Sequence, residues 1–177
     1  GDRAFGWAAD HVEPGVSIDH PDDGGHHALH YLTCIGNAAT VTSGLAKGAE
    51  GIVTGEHARL LVDFPADVTE KLNIGDQIQI RTVGRGIGIA EFPDIEFKKT
   101  SPALLHALRL SRSGNGALKV PVAMELPIEI MGSGAELNAE YVDQDLMSGD
   151  RALMADLGID KMRLGDLIAI RHGDHHF

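Results

Sequence analysis

Apolar residues in this chain come in short runs closed by Gly, Asn, Asp or Pro. The runs cover residues 28–35, 39–42, 51–54, 60–64, 77–82, 95–97, 118–130 and 167–170. Runs this short between turn formers predict β-strands. Gln77-Ile78-Gln79-Ile80-Arg81 alternates strictly, so one face of that strand is buried and the other wetted. Gly55-Glu56-His57 predicts a turn between two strands. Residues 1–27 hold much Gly, Pro, Asp and His without periodicity and predict irregular loop. Helices are few and short: 66–72 after Pro65, 101–110 with Ser101 as cap and Pro102 in the first turn, and 149–157 with Asp150 as cap. The expected fold is mainly β, a β-rich α+β protein of small barrel-like sheets with a few short helices.

One pattern occurs twice. Leu72-Asn73-Ile74-Gly75-Asp76-Gln77-Ile78-Gln79-Ile80-Arg81 is matched by Met162-Arg163-Leu164-Gly165-Asp166-Leu167-Ile168-Ala169-Ile170-Arg171, each copy after a predicted helix. Gly75 and Gly165 permit a tight turn, Asp76 and Asp166 can accept from nearby backbone amides, and the isoleucine pairs enter a core. The repeat suggests two pseudo-repeated halves, with two uses of a common turn as the plainer alternative. Ser111-Arg112-Ser113-Gly114-Asn115-Gly116 has linker composition. The halves are therefore drawn at residues 1–110 and 117–177, around a soft boundary that a single compact unit would erase.

Composition narrows the function classes. The chain has 177 residues, enough for one good core or two small barrels. Its net charge of −11, with 15 Lys and Arg against 26 Asp and Glu, argues against a nucleic-acid surface. No apolar run approaches the roughly 20 residues that span a bilayer, and the first residues lack a signal pattern. A soluble, acidic, cytoplasmic protein without a membrane partner is expected. Cys34 is the sole cysteine, so disulfides within the chain and thiolate zinc cages are excluded. Its apolar surroundings predict a buried thiol.

Ten histidines, several beside carboxylates, are the sharpest chemical signal. Asp10-His11-Val12-Glu13-Pro14-Gly15 sets three ligand types within four residues, and imidazole with carboxylate suits zinc or manganese. His57 stands on the predicted turn, and Asp174-His175-His176 follows the second copy of the repeat. The expected metal ligands are Asp10, His11, His57, Asp174 and His175, with Glu13 and His57 as catalytic groups. An exposed turn histidine and a ragged terminus are the plain alternatives for His57 and His175. His20, His26 and His27 read as solvated loop residues, and His30 as packed within a strand. Gly84-Arg85-Gly86-Ile87-Gly88 and Gly132-Ser133-Gly134 lack the strand-to-helix context of a phosphate loop, so no nucleotide cofactor is expected. No serine elbow is present.

The order of six segments is also informative. They are Gly1-Asp2-Arg3-Ala4-Phe5-Gly6-Trp7; Asp10-His11-Val12-Glu13-Pro14-Gly15-Val16-Ser17-Ile18; Cys34-Ile35-Gly36-Asn37; Lys47-Gly48-Ala49-Glu50-Gly51-Ile52-Val53-Thr54-Gly55-Glu56-His57; Leu61-Val62-Asp63-Phe64-Pro65; and Ile130-Met131-Gly132-Ser133-Gly134. Together they resemble the bacterial family of the domain of unknown function 4438. The resemblance implies no activity. It implies that the chain is the middle of a longer protein, and that the loop at 22–27, with His26 and His27, departs from the family pattern. The expected function is a metal-dependent, hydrolase-like enzyme acting on a small polar substrate. The alternative is a non-enzymatic, homo-oligomeric binding or assembly module that takes a small-molecule ligand.

Overall fold

The computed structural model describes residues 14–132, 145–146 and 149–173. They fall into two compact units that divide between Val83 and Gly84. The mainly β, α+β reading holds for the chain, with short helices beside the sheets.

In the first unit the elements are β1 (Val16–Ile18), α1 (Asp23–Leu32), β2 (Ala38–Val41), β3 (Glu50–Glu56), β4 (Leu60–Asp63), α2 (Ala66–Thr69) and β5 (Ile78–Arg81). The strands form one antiparallel sheet in the order β1-β4-β3-β2-β5, curved into a half-barrel. A register shift between Val53 and Gly55 sharpens the bend where β3 meets β4. Ala39, Val41, Ala46, Val53, Val62 and Phe64 form the buried centre, and Ile78 and Ile80 of β5 pack against it. Gly51 matters here, because a Cβ would collide with the Asp63 carbonyl and the Phe64 ring. Cys34 is buried, as its apolar setting predicts.

The run at 28–35 is not a strand. Its residues 28–32 belong to α1, which begins within the stretch expected to be loop; β1 also lies in that stretch. Asp22 caps the helix by accepting from the Gly25 amide at 2.9 Å. His30 is consequently a buried helical residue rather than a strand residue.

In the second unit the elements are α3 (Pro102–Ala107), β6 (Ser111–Arg112), β7 (Leu118–Lys119), β8 (Met124–Leu126), α4 (Arg151–Leu157) and β9 (Ile168–Ile170). Ser101 and Asp150 cap α3 and α4 as read from sequence, accepting from Leu104 and Leu153 amides. The run at 118–130 breaks into β7, β8 and a 3-10 turn, and 95–97 forms no strand. The small residues at 111–116 serve a hairpin: β6 pairs with β7, and the Ser113 hydroxyl donates to the Ala117 carbonyl across the turn. Strands β8 and β9 pair in parallel over a core of Leu126, Ile130 and Ile159.

Both copies of the repeat have the same turn. The Asn73 amide donates to Asp76 Oδ2 at 2.9 Å, and the Arg163 amide to Asp166 Oδ2 at 2.9 Å. The return bonds, Asp76 amide to Asn73 carbonyl and Asp166 amide to Arg163 carbonyl, are each 3.0 Å. Gly75 at φ 97° and Gly165 at φ 89° close the turns in the left-handed region, which a side chain disfavours. Each turn sends an isoleucine pair into its own core. The sheet context differs, because β5 is antiparallel to β2 while β9 is parallel to β8.

Candidate functional site

Strands β1 and β5 are the outer strands of the half-barrel sheet, and both line one cleft of about 1180 Å3. Strand alternation sets half-buried Val16 and Ile18 of β1 against the core, and Ile78 of β5 does the same from the other side. Leu29 of α1 and Leu72 also line the cleft. Polar groups are added by Ser17, Asp19 and His20 on one side and by Asn73, Asp76 and Gln77 on the other, with Thr42, Thr69 and Gln79 beside them. Apolar atoms make up most of the lining's surface and the polar residues rim it, a composition that suits a small amphipathic molecule.

Asp19 and His20 leave β1 directly into the cleft wall. The Asp19 carboxylate accepts from His26 Nδ1 at 2.5 Å and from its neighbour, the His20 amide, at 2.7 Å; Arg59 Nε lies 3.4 Å away. The His26 hydrogen bond, helped by the His20 amide and the Arg59 charge, holds the Asp19 carboxyl below its ordinary value against the opposing pull of burial. A depressed carboxyl stabilises the fold above its unfolded value, near 3.8, and that contribution is lost as pH falls through the folded value. Asp19→Asn should therefore lower the urea midpoint at neutral pH, and its difference from the parent should shrink on acidification below 3.8. A difference that stays constant with pH would show that the charge contributes nothing. The His20 ring folds back on its own turn, with Nδ1 3.1 Å from the Asp22 amide, and lies where a Cβ on Gly25 would be.

Behind this wall is a histidine and carboxylate cluster. His30 is 0% exposed, and its Nδ1 lies 3.3 Å from Glu56 Oε2 at the end of β3. The His26 and His30 rings are 4.5 Å apart, and His27 meets His26 edge-on at 5.5 Å. One helix face carries His26 and His30, four positions apart, so α1 docks on the sheet through imidazoles.

The expected metal set is only partly on view. Asp10, His11, Glu13, Asp174 and His175 lie outside the described residues. His57 is described: it is half-buried in the β3–β4 turn, and its amide donates to the Arg59 carbonyl at 3.0 Å. Its neighbour Glu56, which was not among the expected ligands, is the group that meets His30. Among the described residues no three His, Cys, Asp or Glu side chains are grouped so as to hold a metal. Asp19, His26, His30 and Glu56 were missed because the sequence pattern did not show α1; the Asp22 cap and the His26/His30 spacing were the available signals.

Residues 1–106 match the N-terminal, and residues 107–177 the C-terminal, family model of the domain of unknown function 4438. The chain belongs to this family. The crystal structure of TM1086 is similar, with a TM-score of 0.89 and 37% sequence identity over 98% of this chain and 62% of that one. The present chain thus spans less than two thirds of the length of that relative. No curated protein matches. Within the domain of unknown function 4438 chain, the cleft and the imidazole cluster lie wholly in the N-terminal family segment. The expected ligands Asp174 and His175 belong to the C-terminal segment. The family boundary at 106/107 falls near the end of α3, whereas the compact units divide at 83/84. No helix among the described residues is long and apolar enough to cross a membrane.

Proposed function

We propose that the N-terminal unit is a binding module that takes a small organic molecule in the cleft of the half-barrel. The observation that supports this reading is the position of the cleft: the two outer strands of one sheet line the same apolar hollow, and Asp19 and His20 lie at its edge. The site is largely preformed, since β1 and β5 are each tied into the sheet by backbone pairing. Hexylamine, hexanol and hexanoate serve as probes in amide NMR titrations of the whole chain. Shifts confined to β1, Leu29 of α1 and residues 69–79 with any of the three are expected. Absence of saturable shifts there with all three overturns the reading. Gly25→Ala, which drives the His20 ring from its seat, should weaken whichever probe binds.

Metal-assisted hydrolysis is the second proposal. Of Asp10, His11, Glu13, His57, Asp174 and His175, the described part includes His57, and the adjoining Glu56–His30 contact favours this reading because it brings an imidazole and a carboxylate together beside that turn. Zinc or manganese in purified protein, lost on His57→Ala, would support it. Equal metal content in parent and variant, or none in either, would sink it.

A further inference from the structure

The two copies of the repeat differ at one charged position, and the difference falls in the cleft. In the second copy the turn aspartate has its own cation: Arg163 Nη2 lies 3.7 Å from Asp166 Oδ1. In the first copy Asn73 occupies the arginine's place. Asp76 accepts from neutral donors there, the Asn73 amide at 2.9 Å and the Ser43 hydroxyl at 3.4 Å. Among the described residues no Lys, Arg or His lies within ion-pair distance of Asp76. The contrast is informative because the backbone geometry of the two turns is the same; what the first turn lacks is a countercharge.

Asp76 lines the cleft, and so does Asn73. Among the described residues of the lining the carboxylates are Asp76 and Asp19, and none is a lysine or arginine. Asp19 already faces His26 and Arg59, so the uncompensated charge is that of Asp76. The aliphatic part of the lining is Leu72, Ile74 and Ile78 from its own segment, and Val16, Ile18 and Leu29 from β1 and α1. A carboxylate beside an aliphatic wall complements a cation carried on a hydrocarbon chain.

We infer that the cleft selects organic cations, an alkylammonium or alkylguanidinium whose charged head takes beside Asp76 the place that Arg163 takes beside Asp166. The inference rests on the cleft being a binding site and adds the chemical class of its ligand. The head accepts from no protein group; it donates to the Asp76 carboxylate. The chain of the ligand lies on Leu72 and Ile78. An anionic ligand of the same length is repelled, and a neutral one keeps the apolar contact alone.

Ranking the probes tests this. Hexylamine should bind about fivefold tighter than hexanol, the effect of one partly exposed ion pair, with hexanoate weakest. Asp76→Asn keeps an acceptor for the Asn73 amide while removing the charge, and should bring hexylamine down to the level of hexanol. Asn73→Arg installs the second copy's countercharge and should likewise remove the preference for hexylamine over hexanol. This second variant retains the capping carboxylate, so it reports even if Asp76→Asn misfolds. Equal binding of amine and alcohol, or an amine preference that survives both variants, overturns the cation inference while the cleft reading stands. If no probe saturates at cleft residues, both fall together.

Discussion

Leu60→Ala is expected to destabilise the first unit by about 2–5 kcal/mol, the range for truncating a fully buried leucine in a packed core. Leu60 is 1% exposed and opens β4, with Ile18 of β1 opposite on one side and Glu56 of β3 on the other. Its side chain thus fills the sheet where the cleft strand, the His57 turn and the Glu56–His30 contact meet. Removing it leaves a cavity, and neighbouring strands close around such a void only in part. A lower urea midpoint should be accompanied by faster amide exchange in β1 and β4. Leu45→Ala is the control, since Leu45 is 82% exposed and its truncation should change stability by less than about 0.5 kcal/mol. A loss at Leu60 as small as that at Leu45 would show that the half-barrel core does not depend on this junction.

What the sequence revealed about the fold was what depends on neighbours in the chain. The repeated Gly-Asp turn is closed by bonds between residues three apart, Asn73 with Asp76 and Arg163 with Asp166, so its geometry is local and its reading held in both copies. Caps at Ser101 and Asp150 are local for the same reason. Helix α1 was hidden because its inward face is His26, His30 and Thr33, not an aliphatic stripe, and because Gly24 and Gly25 lower helix propensity where the cap should be recognised. Periodicity methods weigh hydrophobicity, and a buried imidazole gives them nothing to weigh. The cleft was illegible for a different reason. Its two sides come from residues 16–20 and 69–79, which meet only because β4, β3 and β2 lie between β1 and β5 in the sheet. Ligand-type residues are abundant in the chain, but nothing in their order along it places Asp19 and Glu56 against α1.

The contact between His30 and Glu56 is expected to be coupled energetically. Each single variant, His30→Leu and Glu56→Ala, should cost about 1–3 kcal/mol, because it leaves a buried polar group of the other residue without this partner. His30 is fully enclosed and the Glu56 side chain is 11% exposed, so water replaces the lost bond poorly. The double variant removes both groups at once and should cost less than the two singles together, with a coupling of roughly 1 kcal/mol or more. The consequence reaches the cleft: His30 fixes the register of α1 on β3, and the same helix carries Leu29 in the cleft lining and His26 against Asp19. Loosening α1 should therefore weaken hexylamine in both single variants, although neither side chain lines the cleft. Additive costs within about 0.5 kcal/mol, together with unchanged probe binding, would mean that the His30–Glu56 contact does not set the position of α1.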